Sequence, residues 1–458
     1  MRLFLVSILC LQPLWSETDY YPKIREQLLA AEKECAKIAK LDDRNYHLAN
    51  IARLFARAGY LEDAIRIVEV VPSDFNFLLL AKAQALYGET SQAHTTLRRI
   101  LGPVDRANFS ASVAHLLWQT GNRKEAERIL LLADDSIPTI ADGKKREQIR
   151  NEVKAQREYM QGEPPISLSP IPQPKPPQQP ARLRDDFPYS VDGFRPLNPT
   201  KAEKDRVEGA SFLTALYTLI AAQKWKDAME HAALAETDEQ KLLGLASVAH
   251  LMVQAGRLDL AEQVIANLPE TNPDTILAKA EAWSYLGAAM AKSAWKDKAG
   301  TLFNRSERLA RNISLPALTK GKLFVLSELA LNRRQALEIE ESKQTFKDCL
   351  ELVKQIAPDP KPVPGRPRPA RVRQELLNRI LSVQLRADDS EGAKQTENTW
   401  LLLEPTGAHE AISNIWFHWN KYEEAFRVTN QITKLTDRLE HVQWLLNQLL
   451  TLAGAPNN

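Results

Sequence analysis

The feature that most constrains this chain is a short unit that occurs eight times along it. In each copy an apolar stretch ends at a turn residue, four mostly polar residues follow, and an alanine opens the next stretch. The alanines recur with a typical period of about 33 residues, the length of one helix pair in helical repeat proteins. The eight copies are Gly59–Ala64, Gly88–Ala93, Gly121–Ala126, Gln223–Ala228, Gly256–Ala261, Ala294–Ala299, Asp388–Ala393 and Asn420–Ala425.

This unit predicts pairs of closely packed antiparallel α-helices. A helix that ends in a tight turn needs a left-handed residue there, and glycine adopts that conformation without steric cost. Small side chains are also needed where two helix axes approach, and the alanine after the turn supplies one such position. A second small residue lies seven positions before the turn residue, at Ala52, Ala81, Ala114, Ala249 and Gly287. Large apolar residues flank these points with helical spacing, so each helix has one buried face.

One copy resembles the tetratricopeptide repeat (TPR) family in detail. Residues 283–287 read Trp-x-x-Leu-Gly, which is typical of the first helix of that repeat, and Ala299 and Phe303 follow at the spacing of its second helix. The resemblance implies an all-α fold, an α-solenoid of antiparallel helix-turn-helix repeats with a concave inner face. It covers most of residues 40–140, 205–310 and 375–440.

The other copies are degenerate relative to that family. Pro138, Pro273 and Pro405 stand where the family ends its second helix, but other copies lack this proline. Gln84 and Gln384 occupy a position that is usually aromatic. A related α-solenoid family, Sel1-like or pentatricopeptide-like, is an alternative that fits the variable spacing less well.

Two proline-rich segments interrupt the predicted array. Proline lacks a backbone donor, so the proline-dense stretch 162–199 is predicted to be an extended linker between two lobes. The second segment, 357–373, is also basic. The predicted divisions are a signal peptide (1–16), an N-terminal TPR-like lobe (17–161), the linker (162–199), a second TPR-like lobe (200–356), a basic proline-rich loop (357–373) and C-terminal TPR-like repeats (374–458).

The first sixteen residues resemble a secretory signal. One arginine precedes a short apolar run, a proline breaks that run, and the small residue Ser16 follows. The run is too short to cross a bilayer, which takes about 20 residues. We therefore expect export to a periplasmic or extracellular location, and a cytoplasmic protein if the segment is not a signal.

Composition gives no support to an enzyme. The histidines are scattered singly, and the chain lacks a nucleophile elbow, a phosphate-binding glycine loop and a Cys/His cluster with metal spacing. Cys35 and Cys349 are predicted to be isolated buried thiols. Lys+Arg 60 against Asp+Glu 58 leaves a net charge of +2, so no global field draws the chain to nucleic acid. We expect no cofactor, no metal and no membrane span.

The resemblance to the TPR family also implies where a partner would bind. In that family, first-helix residues two, three and six positions before the turn line the inner groove. Basic side chains next to an aromatic side chain would suit an acidic extended peptide. The alternatives are that the aromatic residues belong to the core and that the others form ordinary solvated helix faces. The candidate peptide-groove residues are Arg53, Arg57, Lys82, His115, Trp118, Tyr217, His250, Gln254, Lys292 and Phe417, with Gln119, Asn414 and His418 at equivalent positions.

The sequence thus predicts a non-catalytic, exported scaffold that binds other proteins or extended peptide segments. The alternative is a helical module that holds an anionic envelope polymer through the basic residues of 357–373. A solenoid that carries an enzyme is the least favoured hypothesis. The partner, the pathway and the oligomeric state are not predicted.

Overall fold

The protein is described by a computed structural model that covers residues 20–161, 215–216, 218–220, 222–235, 238–268, 270–293, 295–314, 319–358 and 371–455. Throughout these ranges the regular structure is helical, with no strand. The α-helices are α1 (Tyr20–Cys35), α2 (Leu41–Arg57), α3 (Leu61–Val70), α4 (Asp74–Leu86), α5 (Thr90–Arg98), α6 (Pro103–Gln119), α7 (Arg123–Ser136), α8 (Gly143–Gln161), α9 (Trp225–Ala233), α10 (Asp238–Gln254), α11 (Leu258–Ala266), α12 (Pro273–Ala291), α13 (Lys296–Arg311), α14 (Thr319–Gln335), α15 (Ile339–Lys354), α16 (Val372–Arg386), α17 (Ser390–Leu403), α18 (Ala408–His418), α19 (Tyr422–Thr429) and α20 (Leu435–Leu452).

The predicted turn residues form the same left-handed turn in one helix pair after another. Seven of the eight have positive φ, and the eighth, Ala294, lies outside the described residues. After the turn the chain closes a long backbone hydrogen bond onto the first helix, as in a Schellman motif. Tyr60 N–H donates to Phe55 O at 2.9 Å, and Arg257 N–H donates to Met252 O at 2.8 Å. The helix-turn-helix repeats that the sequence predicts are therefore confirmed.

Two further turns of this kind were not predicted. Leu337 (φ 67°) joins α14 to α15, so residues 319–354, which contain none of the eight predicted units, also form a helix pair. Leucine rarely adopts a left-handed conformation, and its presence hides the turn from sequence inspection. Gly454 (φ 71°) ends α20 with the same motif, because Ala455 N–H donates to Leu450 O at 2.9 Å.

Small residues lie where the sequence analysis expects two helices to approach most closely. The alanines that open the second helices are buried, as are Ala52, Ala81, Ala114 and Ala249 in the first helices. A Cβ atom added at Gly287 would lie 2.7 Å from the ring of Phe303, so only glycine fits there. This steric limit explains the strong TPR resemblance around residue 287.

Several helix pairs replace the usual apolar contact behind the turn with a buried hydrogen bond. Gln84 Oε1 accepts from Thr96 Oγ1 at 2.8 Å, and Gln384 Oε1 accepts from Thr396 Oγ1 at 2.6 Å. These glutamines stand four residues before the left-handed residue, and the threonines stand eight after it. Arg333 and Thr345 occupy the same two positions relative to Leu337, and the Arg333 guanidinium donates to Thr345 Oγ1 at 3.0 Å. A polar residue at this point is therefore tolerated because its partner helix satisfies it.

The chain divides into two compact units. Unit 1 comprises Met1–Asp185 and Asn420–Asn458, and its described helices are α1–α8, α19 and α20. Unit 2 comprises Asp186–Trp419 and contains α9–α18. The predicted C-terminal repeats, 374–458, are thus divided between the units. The predicted signal peptide, the linker 162–199 and most of the basic loop lie outside the described residues.

Within unit 1 the last helix of the chain packs beside the first two. Helix α20 contacts both α1 and α2. Arg438 near the start of α20 donates to Glu34 near the end of α1 at 2.7 Å, so these two helices are antiparallel. Helix α1 also contacts α3, because Arg25 Nε donates to Asp63 Oδ2 at 2.9 Å. The two ends of the chain therefore make one composite helix pair, with α20 as its first helix and α1 as its second.

Candidate functional site

The positions that the sequence analysis assigned to a peptide groove differ in their burial. Residues three positions before the turn, Trp118 and Phe417, are buried in the core. Residues six positions before it, including Arg53, Lys82 and His115, are half-buried. Of the two interpretations left open for Trp118 and Phe417, the structure supports the core. Tyr217 lies outside the described residues.

Arg57 is a structural residue of unit 1. Its side chain is buried, and its guanidinium donates to Asn447 Oδ1 at 2.7 Å and to Thr451 Oγ1 at 2.9 Å. It also reaches the backbone carbonyls of Asn447 and Ala455, at 3.2 and 3.3 Å. These contacts place a positive charge at the C-terminus of α20, where it is favourable to the helix dipole. Arg57 thus joins α2 to α20 and is not exposed to a peptide.

Arg53 and Lys82 have no such partners. Neither makes a hydrogen bond or an ion pair within the described part of the chain, and the Nε atom of Arg53 is buried without an acceptor. Arg53 lines a small recess between α2 and α4 together with Ala49 and Asn76. Burial lowers the pKa of Arg57, and the positive charge of Arg53 lowers it further. These two cations are therefore available to an anionic group of a partner.

His115 lies in an aromatic cluster between α6 and α8. Its ring stacks on Trp118, with centroids 5.9 Å apart, and lies 5.6 Å from the exposed ring of Tyr159. Its two ring nitrogens contact the side chains of Gln119 at 2.8 Å and Gln156 at 2.6 Å. Burial lowers the pKa of His115, so the ring is neutral at pH 7. A neutral imidazole has one donor and one acceptor, so one glutamine offers its N–H and the other its carbonyl oxygen.

The candidate residues in unit 2 contact each other or neighbouring helices. His250 stacks on Tyr285 with centroids 4.5 Å apart and contacts Gln254 at 3.0 Å. Lys292 donates to Gln335 at 3.3 Å. The His418 ring lies 2.6 Å from Asn414 O. These residues lie at or near the C-terminal ends of the first helices α10, α12 and α18.

The exposed aromatic residues of unit 1 were not predicted from the sequence. Tyr46 and Phe75 stand thirteen positions before their left-handed residues and are 59% and 60% exposed. Trp444 stands ten positions before Gly454, is 37% exposed and stacks on His441 with centroids 5.6 Å apart. Relative to the position of Arg53 on the same helix face, Trp444 lies one turn closer to the start of its helix, and Tyr46 and Phe75 lie two turns closer. Their helical spacing from the position of Arg53 was the sequence signal that could have identified them. We call residues thirteen, ten, six and two positions before the left-handed residue the first-helix face.

Charged residues occupy the corresponding region of unit 2. Arg379 pairs with Glu328 and lies 4.8 Å from the ring centroid of Phe324, and Lys320 pairs with Glu375 at 2.7 Å. The carboxyl group of Glu281 reaches solvent, but protein atoms surround it. Desolvation by these protein atoms and the negative charge of Glu328 raise the pKa of Glu281 to about 7, and the positive charge of Arg379 partly opposes the shift. The cations here are neutralised by carboxylates of the same unit.

Other chemistry has little support in the described residues. They contain no group of three or more His, Cys, Asp or Glu side chains that could hold a metal ion. Cys35 and Cys349 are free and buried, as predicted, and burial raises the pKa of each to about 12. Such thiols are not nucleophilic at neutral pH. No helix in these ranges is long and apolar enough to cross a membrane.

The basic proline-rich loop is described only at its ends. Lys361, Arg366 and Arg368 lie outside the described residues. Arg373 is buried, pairs with Glu404 at 3.3 Å and donates to Ile356 O. Arg371 donates to Gln374 at 3.0 Å. Arg373 therefore anchors the end of the loop to unit 2 and is not available to a polymer.

Comparison with known proteins does not assign the chain to a family. No protein-family model matches the chain, and no curated protein matches it. Among solved structures, the crystal structure of the P58(IPK) TPR domain is similar, with 12% identity over 93% of this chain and 99% of that one. Its TM-score is 0.15, so despite the long alignment this likeness carries no argument. The TPR-like fold is established by the repeated turns, the buried small residues and the helix pairs.

Proposed function

We propose that this protein is a non-catalytic scaffold that binds extended segments of other proteins on its first-helix faces. The observation that carries the proposal is the first-helix face of unit 1. It combines exposed aromatic side chains with two cations that have no partner in the described chain. Exposed aromatic residues that lie together on one face contribute strongly to protein interfaces. The TPR-like helix pairs hold this face rigid.

The direct test is a peptide selection on the whole protein. A displayed library of random peptides of about twelve residues would be enriched on the immobilised full chain. A soluble helical protein of similar size and charge serves as the control. We expect peptides that bind the chain in the micromolar range and that compete with each other for it. Selection of no peptide above the control would count against the scaffold function.

We also propose export, on the basis of the N-terminal sequence pattern. Fusion of residues 1–20 to a reporter that is active only after export would test this. Replacing Leu5 and Leu9 by Asn interrupts the apolar run and should abolish reporter activity, because the apolar core is needed for recognition. Equal activity of the two fusions would contradict export by this segment.

A further inference from the structure

The C-terminal helix extends the first-helix face of unit 1. Helices α20 and α2 lie side by side in the same register. Gln443 stands eleven positions before Gly454, and His47 stands twelve positions before Gly59. Gln443 Nε2 lies 3.3 Å from His47 Nδ1. Arg57 contacts Asn447 and Thr451 at the other end. Helix α4 also packs against α2, and the Tyr87 hydroxyl just after the end of α4 donates to Arg57 O at 2.7 Å. Residues at equal distances before the turn therefore form rows across α20, α2 and α4.

The row nearest the start of these helices is aromatic. His441, Tyr46 and Phe75 stand at the same position in α20, α2 and α4, and Trp444 lies one turn further on. The Tyr46 ring lies edge-on to His47, which is bonded to Gln443 of α20. The Nε2 atom of His441 is buried without a hydrogen-bond partner in the described chain. Burial lowers the pKa of His441 to about 4, so it adds no charge at neutral pH.

The row closer to the turn is polar and basic. It contains Gln448, Arg53 and Lys82, in α20, α2 and α4, followed by His115 in α6. None of the four positions that define the face holds an aspartate or a glutamate in any of these four helices. Two positive charges without carboxylates beside them attract an anionic ligand, and the attraction is strongest where the surface is partly desolvated.

We propose that both ends of the chain build a binding site for an acidic, apolar-rich extended peptide. Trp444 of α20 and Tyr46 and Phe75 would contact its apolar side chains, and Arg53 and Lys82 would pair with its carboxylates. This proposal rests on the scaffold function and specifies one of its sites. The new element is the contribution of α20, which lies about 400 residues away along the chain.

The dimensions of the face suit such a peptide. Packed helices lie about 8 to 10 Å apart, so α20, α2 and α4 together span about 20 Å. An extended chain advances about 3.3 Å per residue, so about six residues cross the three helices. Alternate side chains of an extended peptide point to one side. A peptide in which carboxylates alternate with apolar residues, lying between the two rows, can therefore direct its apolar side chains to the aromatic row and its carboxylates to the basic row.

The test uses the full chain and a defined probe. A fluorescein-labelled peptide of about ten residues, in which aspartate alternates with phenylalanine or leucine, would be titrated by fluorescence anisotropy. The matched peptide replaces every aspartate by asparagine. A labelled oligothymidylate of about twelve nucleotides tests whether the aromatic and basic residues bind single-stranded nucleic acid instead.

We expect Trp444→Ala to weaken binding of the acidic peptide by about thirtyfold, the effect of losing an aromatic hot spot. Arg53→Met and Lys82→Met should each weaken it by about fivefold. The asparagine peptide should bind at least tenfold more weakly. The matched controls are Trp295→Ala, an exposed tryptophan of unit 2, and Lys124→Met, an exposed lysine of α7. Both should leave the Kd unchanged, and circular dichroism should show that all variants are folded.

Several results would overturn this proposal. Trp444→Ala with unchanged affinity would remove the C-terminal helix from the site, although peptides selected on the full chain would still support the scaffold function. Equal binding of the asparagine peptide would remove the role of charge. Tighter, Arg53-dependent binding of the oligothymidylate would replace the peptide by nucleic acid. If the acidic peptide and the library both failed to bind, the scaffold function itself would be lost.

Discussion

The first-helix faces of units 1 and 2 use the same positions of the same repeat but balance their charges differently. In unit 1 the first row holds the exposed rings of Tyr46 and Phe75, and the cations beside it lack partners in the described chain. In unit 2 that row holds Glu281, Phe324 and Glu375, and the neighbouring cations are bonded to carboxylates. A ligand of unit 2 would first have to replace these ion pairs.

This difference indicates that the repeat itself does not decide where a partner binds. The turn and the small residues fix the backbone of a helix pair, while the exposed residues of the first helix are free to vary. In unit 2 they form ion pairs within the unit, and in unit 1 they include exposed aromatic rings and two cations without a partner in the described chain.

The largest expected effect follows from deletion of residues 435–458. Without α20, the apolar face of α2 and the buried Arg57 lose their cover. We expect the free energy of unfolding of unit 1 to fall by on the order of 5 kcal/mol, because six buried apolar side chains of α20 are lost, partly offset by chain entropy. Hydrogen exchange of the α2 amides should accelerate strongly, while α12–α15 are unchanged. Deletion of 456–458 is the control, and equal exchange of α2 in both truncations would contradict the composite pair.

Two arginines on the same helix provide the next test. Arg57→Met removes a buried guanidinium and leaves Asn447 and Thr451 without their donor, so we expect unit 1 to lose about 3 kcal/mol of stability. Arg53→Met removes a cation without a partner in the described chain and should change stability by less than about 0.5 kcal/mol. Urea unfolding measures both. Similar losses for the two variants would show that Arg53 also supports the fold.

The same contrast can be made between the units. Arg379→Met leaves Glu328 without its cation and removes the contact with Phe324, so we expect a loss of about 1 to 2 kcal/mol in unit 2. Lys82→Met in unit 1 should leave the free energy of unfolding nearly unchanged. The measurement is urea unfolding at low and high salt. If Lys82→Met were as costly as Arg379→Met, the two faces would not differ in their charge balance.

The smallest effect is a pH dependence at Glu281. Its pKa is raised to about 7 in the folded protein, so the folded state holds the proton more tightly than the unfolded chain. The stabilising contribution of the protonated form is complete below the unfolded value of about 4.5 and is lost as the pH rises through 7. Because the side chain reaches solvent, we expect at most about 1 kcal/mol.

Glu281→Gln should remove this pH dependence and make the protein more stable than the wild type at pH 8. Stability of both proteins by urea unfolding between pH 5 and 8 provides the measurement. Glu340→Gln is a suitable control, since this exposed residue of α15 has a single long contact with Lys343 at 3.4 Å. Parallel stability curves for the wild type and Glu281→Gln would contradict the raised pKa.

Much of the local architecture was predictable from the residues near each turn. The left-handed residue and the alanine five positions later identify a helix pair because both requirements are local and steric. Leu337 escaped because its side chain gives no signal for a left-handed turn, although its φ is 67°. Gln84 and Gln384 looked like departures from the repeat because their threonine partners lie on the second helix, twelve residues away.

The groove residues were harder to predict. The residues six positions before the turn lie on half-buried helix faces, and burial separates Arg57 from Arg53. The difference depends on α20, because its Asn447 and Thr451 side chains accept hydrogen bonds from Arg57. No local pattern in residues 41–57 contains that information.

By itself, then, the sequence determined the helix pairs, their turns and their close contacts, since these follow from steric limits within about thirty residues. The tertiary structure alone decided that α20 pairs with α1 and that its tryptophan joins the face of α2. An amphipathic helix specifies that it must bury an apolar face, but not which surface covers it. That choice is made between segments that are distant along the chain, where only the complete fold brings them together.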